Sequence, residues 1–124
     1  MKFERLNPVP ELKTVAEIVQ WTKDNTPLEF RNNYLKLQLE QKMSAVARIF
    51  LYVLNPGVDI EKILEISLTL GILTAFDSRF EELIKKYETE GEVLCEDEAT
   101  LCFGYELSLY VVERFNKVID VATS

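Results

Sequence analysis

Residues 101–122 read LCFGYELSLYVVERFNKVIDVA. Leu101, Tyr105, Ser108, Val112, Phe115, Ile119 and Ala122 recur here at alternating four- and three-residue steps. That spacing returns a side chain to one stripe of a helix and predicts a helix over 97–122. Phe103, Leu107, Val111 and Val118 widen the buried face, while Glu106, Glu113, Lys117 and Asp120 make the solvent side. Glu113 and Lys117 are spaced to pair across one turn. Glu96, Asp97 and Glu98 stand at the positive N-terminal end of the helix, where acidic groups are favoured.

Upstream, the breaks Asn7-Pro8-Val9-Pro10, Asn25-Thr26-Pro27, Asn55-Pro56-Gly57 and the stretch around Gly91 delimit three more helical segments. The first is predicted over 9–24, capped by Asn7 with the prolines in its first turn. Leu12, Val15, Ala16 and Val19 share one of its faces; Trp21 lies opposite, covered by Phe3 and Leu6 or open to a partner. The second is predicted over 27–54, with Thr26, Pro27 and Glu29 forming a capping box. Its last turns, MSAVARIFLYVL, are apolar on nearly every side and need cover from the bundle or from another chain. The third is predicted over 60–88, capped by Asp59. Gly71 falls inside it and marks either a close helix crossing or a break.

Short connections between amphipathic helices favour antiparallel neighbours. The expected fold is all-α: one domain over 1–124, an antiparallel up-down bundle of four helices, one short and three long. A short first helix cannot cover the groove left by three long ones. That mismatch argues for a homodimer or another protein partner, with Trp21, Phe50, Leu51, Tyr52 and Leu54 as the apolar contact surface.

Charge narrows function further. The 124-residue chain carries −7 and has no histidine, which removes the commonest general base, the usual zinc ligand and two-histidine di-iron sites. Residues 1–62 hold nine Lys/Arg against eight Asp/Glu, and residues 63–124 hold five against thirteen. A pI of about 4.7 argues against nucleic acid and anionic membrane surfaces as partners. Glu88, Glu90, Glu92, Glu96, Asp97 and Glu98 form an acidic patch, read as a solvated turn or as a docking patch for a basic partner.

No catalytic motif stands out. The four glycines, 57, 71, 91 and 104, are scattered, so there is no phosphate loop. Glu61 with Glu65 and Glu113 with Asp120 are the carboxylate pairs with helical spacing, and neither aligns with a second inward-facing pair. Asp77 falls in the apolar seam of the third helix, and an antiparallel hairpin about Pro56 sets it near Lys36. That pair reads as a buried polar contact fixing register, or as a group in a bundle cavity. Cys95 and Cys102, seven residues apart, are separated by roughly 10 Å along a helix, beyond disulfide reach.

The opening MKFERLNPVPELK lacks the apolar core of a signal peptide. The apolar runs 43–54 and 63–76 fall short of the roughly 18–20 residues of a membrane span. These readings point to a small acidic cytoplasmic interaction or regulatory protein acting through an apolar helix face, without catalysis or a cofactor. The alternatives are a divalent-metal hydrolase with carboxylates on facing helices, and a helical carrier of an apolar ligand; a small-molecule ligand is not itself indicated.

Overall fold

The computed structural model describes residues 5–26, 39–89 and 96–123, and the described residues are helical with no strands. The helices are α1 (Val15–Asn25), α2 (Leu39–Leu54), α3 (Ile60–Thr69), α4 (Ile72–Asp77), α5 (Phe80–Thr89) and α6 (Glu96–Thr123). The expected all-α class holds. No helix among the described residues is long and apolar enough to cross a membrane.

The 28 residues of α6 span roughly 42 Å at 1.5 Å per residue. Its most extensive partner is α2; α1 and α4 also lie against it. The predicted seam is buried from Tyr105 through Ser108 and Val112 to Phe115, and the buried Ser108 hydroxyl donates to the Tyr105 carbonyl (2.6 Å). Ala122 and Val118, both assigned to the buried face, are exposed. Phe50 of α2 ties three helices together. Its ring stacks on Trp21 of α1 (centroids 4.1 Å apart, 8° between planes) and tilts against Tyr105 of α6 (5.3 Å).

Two boundaries differ from the sequence reading. The first helix begins at Val15, not at residue 9. Pro8 and Pro10 hold the chain before them extended, and Thr14 caps the helix by accepting the Glu17 N–H (3.2 Å). Glu17 reaches back to accept the Lys13 N–H (2.8 Å). Asn7 caps nothing. The predicted third helix is three helices. Gly71 adopts φ +75°, a left-handed conformation that ends α3 at little steric cost. A second turn at Ser78 and Arg79 separates α4 from α5, with the Arg79 N–H donating to the Phe76 carbonyl (2.9 Å). The Asp59 cap of α3 is as expected, accepting the Lys62 N–H (3.1 Å).

The breaks change where Asp77 points. A seam counted through a continuous helix puts it inside; with the helix interrupted on both sides, Asp77 is exposed and Phe76 takes the buried position. Lys36, its expected partner, lies outside the described residues, as do the predicted start of the second helix over 27–38 and Cys95.

Candidate interaction surfaces

The segment before α1 is an extended strap laid along α6 in the opposite direction. Arg5 pairs with Asp120, Leu6 with Asn116, and Pro10 and Leu12 with Tyr105. The eleven helical steps from 105 to 116 rise about 16 Å, a span that four to six extended residues cover at about 3.3 Å each.

Three side chains satisfy the strap's backbone. The buried Asn116 amide accepts the Leu6 N–H (2.7 Å) and donates to the Leu6 carbonyl (3.0 Å). Tyr105 Oη accepts the Leu12 N–H (2.8 Å) and donates to the Pro10 carbonyl (2.8 Å). Asn55, just past α2, accepts the Asn7 N–H (2.7 Å), while the Asn7 side chain donates to the Leu54 carbonyl (2.7 Å). Leu6 and Val9 are buried as a result. The strap therefore covers apolar surface that the short first helix leaves open, a role the sequence reading gave to a partner. Burial raises the Tyr105 phenol above its ordinary pKa, an effect the Leu12 N–H opposes.

Of the five residues expected to present an apolar contact surface, Phe50 and Leu51 are enclosed by the chain's own core. They are inaccessible to a partner because α1 and α6 pack over them. Trp21 and Leu54 are half-buried, Trp21 under Phe50, and Tyr52 alone is open, at 54% exposure. Other apolar residues stand out instead: Leu68 at 62%, Leu70 at 49% and Val121 at 77% exposed. Leu68 lies with Leu64 and Leu73 in a shallow groove of about 470 Å³ on α3 and α4. Arg48, Lys62, Asp59, Glu61 and Glu65 rim it. Tyr52 sits one turn beyond Arg48 on α2, so it shares that face.

No family model, curated protein or solved structure matches this chain.

The charged residues distribute as follows. In the acidic patch Asp97 is exposed and Glu98 half-buried; Glu90 and Glu92 lie outside the described residues, as do the side chains of Glu88 and Glu96. Among the described residues no group of three Cys, Asp or Glu side chains is placed to hold a metal ion. The carboxylates with helical spacing are each paired with a cation: Glu61 with Arg48 (3.3 Å), Glu65 with Lys62 (3.5 Å), Glu113 with Lys117 (3.3 Å) and Asp120 with Arg5.

Glu106 departs from its expected solvent position. Its side chain is only 15% exposed and accepts from Lys86 Nζ (2.8 Å) and from the Tyr87 hydroxyl (3.0 Å), both on α5. Burial, the Glu106 charge and the neighbouring Cys102 push the Tyr87 phenol far above its ordinary value. The three residues pin α5 to α6, and the edge-on contact of Tyr87 with Phe103 (6.4 Å) adds to that attachment. No local pattern marks Glu106 in the sequence, because its partners lie about twenty residues upstream across an intervening turn.

Proposed function

We propose that this chain is a small interaction or regulatory protein that associates with a second copy of itself, working without catalysis of its own in the cytoplasm. The reading takes α3, α4 and α5 together as one broken leg of an up-down bundle, with α1, α2 and α6 as the others. The observation that carries it is the open Leu68 beside the groove of Leu64 and Leu73, with Tyr52 on the same face.

Charge selects the occupant. A chain at −7 repels its own copy, so a self-contact belongs where both signs are interspersed. The rim supplies two cations and three carboxylates around the apolar centre. A two-fold axis sets a patch against itself, and the Arg48–Glu61 and Lys62–Glu65 pairs keep the charge of each facing rim low. Apolar residues at the centre with a charged rim match the anatomy of stable interfaces.

Light scattering at low and high salt tests this. The expected mass is twice the 14.4 kDa of the chain at both salt levels, with Leu68→Glu reducing it to one chain while the circular dichroism is unchanged. A monomeric wild-type protein, or a Leu68→Glu variant that stays dimeric, refutes the proposal.

A further inference from the structure

A half-open cleft of about 370 Å³ lies between the strap, α4, α5 and α6. Pro8 and Val9 of the strap form one wall, Phe76 and Leu83 another, and Tyr110 lies at its base with Arg79 beside it. The volume falls in the range of small-molecule sites, which are largely apolar with a few placed polar groups.

The charges around this cleft are unequal in their commitments. Glu106 is engaged by Lys86 and Tyr87, and Glu113 is paired with Lys117. Arg79 and Arg114 each place their guanidinium carbon 5.3 Å from the centre of the Tyr110 ring. Neither pairs with a carboxylate among the described residues, although the chain carries 21 Asp and Glu against 14 Lys and Arg. Two guanidinium groups over one aromatic ring are held there by cation–π attraction, with their hydrogen-bonding edges uncommitted to acidic side chains.

We infer that this cleft binds a small monocarboxylate with an apolar body. The planar guanidinium of Arg79 matches a carboxylate in two parallel hydrogen bonds. Arg114 adds positive potential at the same ring. Val9, Leu83 and Val112 offer the apolar body a surface away from water. Inorganic phosphate has no apolar body to set against Val9, Leu83 and Val112, so the cleft favours the carboxylate that carries one. The site is separate from the groove on α3 and α4, so it stands whether or not the chain dimerises.

Octanoate is a suitable probe, with 1-octanol and inorganic phosphate as comparisons. Titration of the full chain, followed by methyl shifts in NMR spectra, is expected to show saturable binding centred on Val9, Leu83 and Val112. Arg79→Gln is expected to weaken it about 10- to 100-fold, the loss of a charge-assisted pair. Arg114→Gln weakens it by a smaller factor, and Lys13→Gln, remote from the cleft, leaves it unchanged. Arg79 is exposed, so its substitution leaves the fold intact, which urea denaturation checks. Absence of octanoate binding overturns the inference. So does equal binding by the Arg79→Gln variant, equally tight binding of octanol, or displacement of octanoate by phosphate at equal concentration.

Discussion

Replacing Asn116 with alanine or leucine separates two ways in which the strap can respond. Asn116 is 9% exposed and supplies both partners of the Leu6 backbone. If the strap stayed in place, two buried peptide groups would lack partners, at about 1–3 kcal/mol each. The alternative is for residues 5–7 to lift. In the wild-type chain that end is held by the burial of Leu6, worth about 2 kcal/mol, and by four hydrogen bonds to Leu6 and Asn7, about 1 kcal/mol each net. Against this stands the freedom lost by three residues, about 1.5 kcal/mol each. The docked end is thus favoured by roughly 1.5 kcal/mol, and lifting it costs the variant no more than that. The smaller cost prevails. Asn116→Ala is expected to lower stability by about 1.5 kcal/mol in urea denaturation, roughly 6 °C in Tm for a chain of this length. Hydrogen exchange at Leu6 and Asn7 should rise to the rate of an unstructured peptide while the α6 core keeps its protection. Asn116→Leu, which keeps the branched shape, should behave in the same way. Unchanged protection at Leu6 and Asn7, or a stability loss above about 4 kcal/mol, would refute the reasoning, because either result means that the strap does not lift.

Gly71→Ala meets no neighbouring atom within 4 Å, so its cost is the backbone's alone, about 1–2 kcal/mol for a left-handed residue with a side chain; a neutral effect on the urea midpoint would show that the break does not need φ +75°. Tyr87 and Tyr105 hold their protons in the folded state beyond the pH at which the unfolded chain releases them. Their contribution to stability is therefore fully present below about pH 10 and is lost as pH rises through the folded values. Absorbance at alkaline pH should show two phenols ionising at higher pH than in the unfolded chain, Tyr87 the later of the two, and Tyr87→Phe should blunt the alkaline loss of stability.

The sequence revealed what is periodic. Tyr105, Ser108, Val112 and Phe115 read as a core stripe because a helix returns them to one face, and that stripe is buried. The end of α2 at Leu54 and the cap at Asp59 were legible because Asn55-Pro56-Gly57 cannot continue a helix. Pro8 and Pro10 do not by themselves announce the strap, since a proline is acceptable in a first helical turn. The sign that decides otherwise is Thr14-Val15-Ala16-Glu17, a capping sequence four residues past Pro10. The turn at Ser78 and Arg79 carries neither glycine nor proline. It follows from tertiary packing: Phe76 reaches Tyr110 (5.8 Å) and Leu83 is buried beyond the turn, and Asp77 consequently faces solvent. The buried face of α1 is Val15, Ile18 and Thr22, not the expected Leu12, Val15, Ala16 and Val19; Ala16 is exposed, and Trp21 flanks the buried face under Phe50, a long-range contact that no local pattern reports.

Along α6, successive turns hold different parts of the chain: Tyr105 the strap, Glu106 α5, Tyr110 α4 and Asn116 the strap again. The strap and the cleft are therefore not independent. Pro8 and Val9 form a wall of the cleft, and they lie between the two anchors at Asn116 and Tyr105. A ligand held against that wall is bound only by chains whose strap is docked, so its apparent affinity scales with the docked fraction. By the same linkage the ligand raises that fraction, since it binds one state and not the other. With the docked end favoured by about 1.5 kcal/mol, roughly nine chains in ten have it docked without a ligand, so occupancy of the cleft shifts the strap chiefly in a variant whose docked end is weakened, such as Asn116→Ala. The exposed groove on α3 and α4 lies on different residues altogether, so a change in the strap reaches it only through α2, whose last turn the strap holds at Leu54 and Asn55.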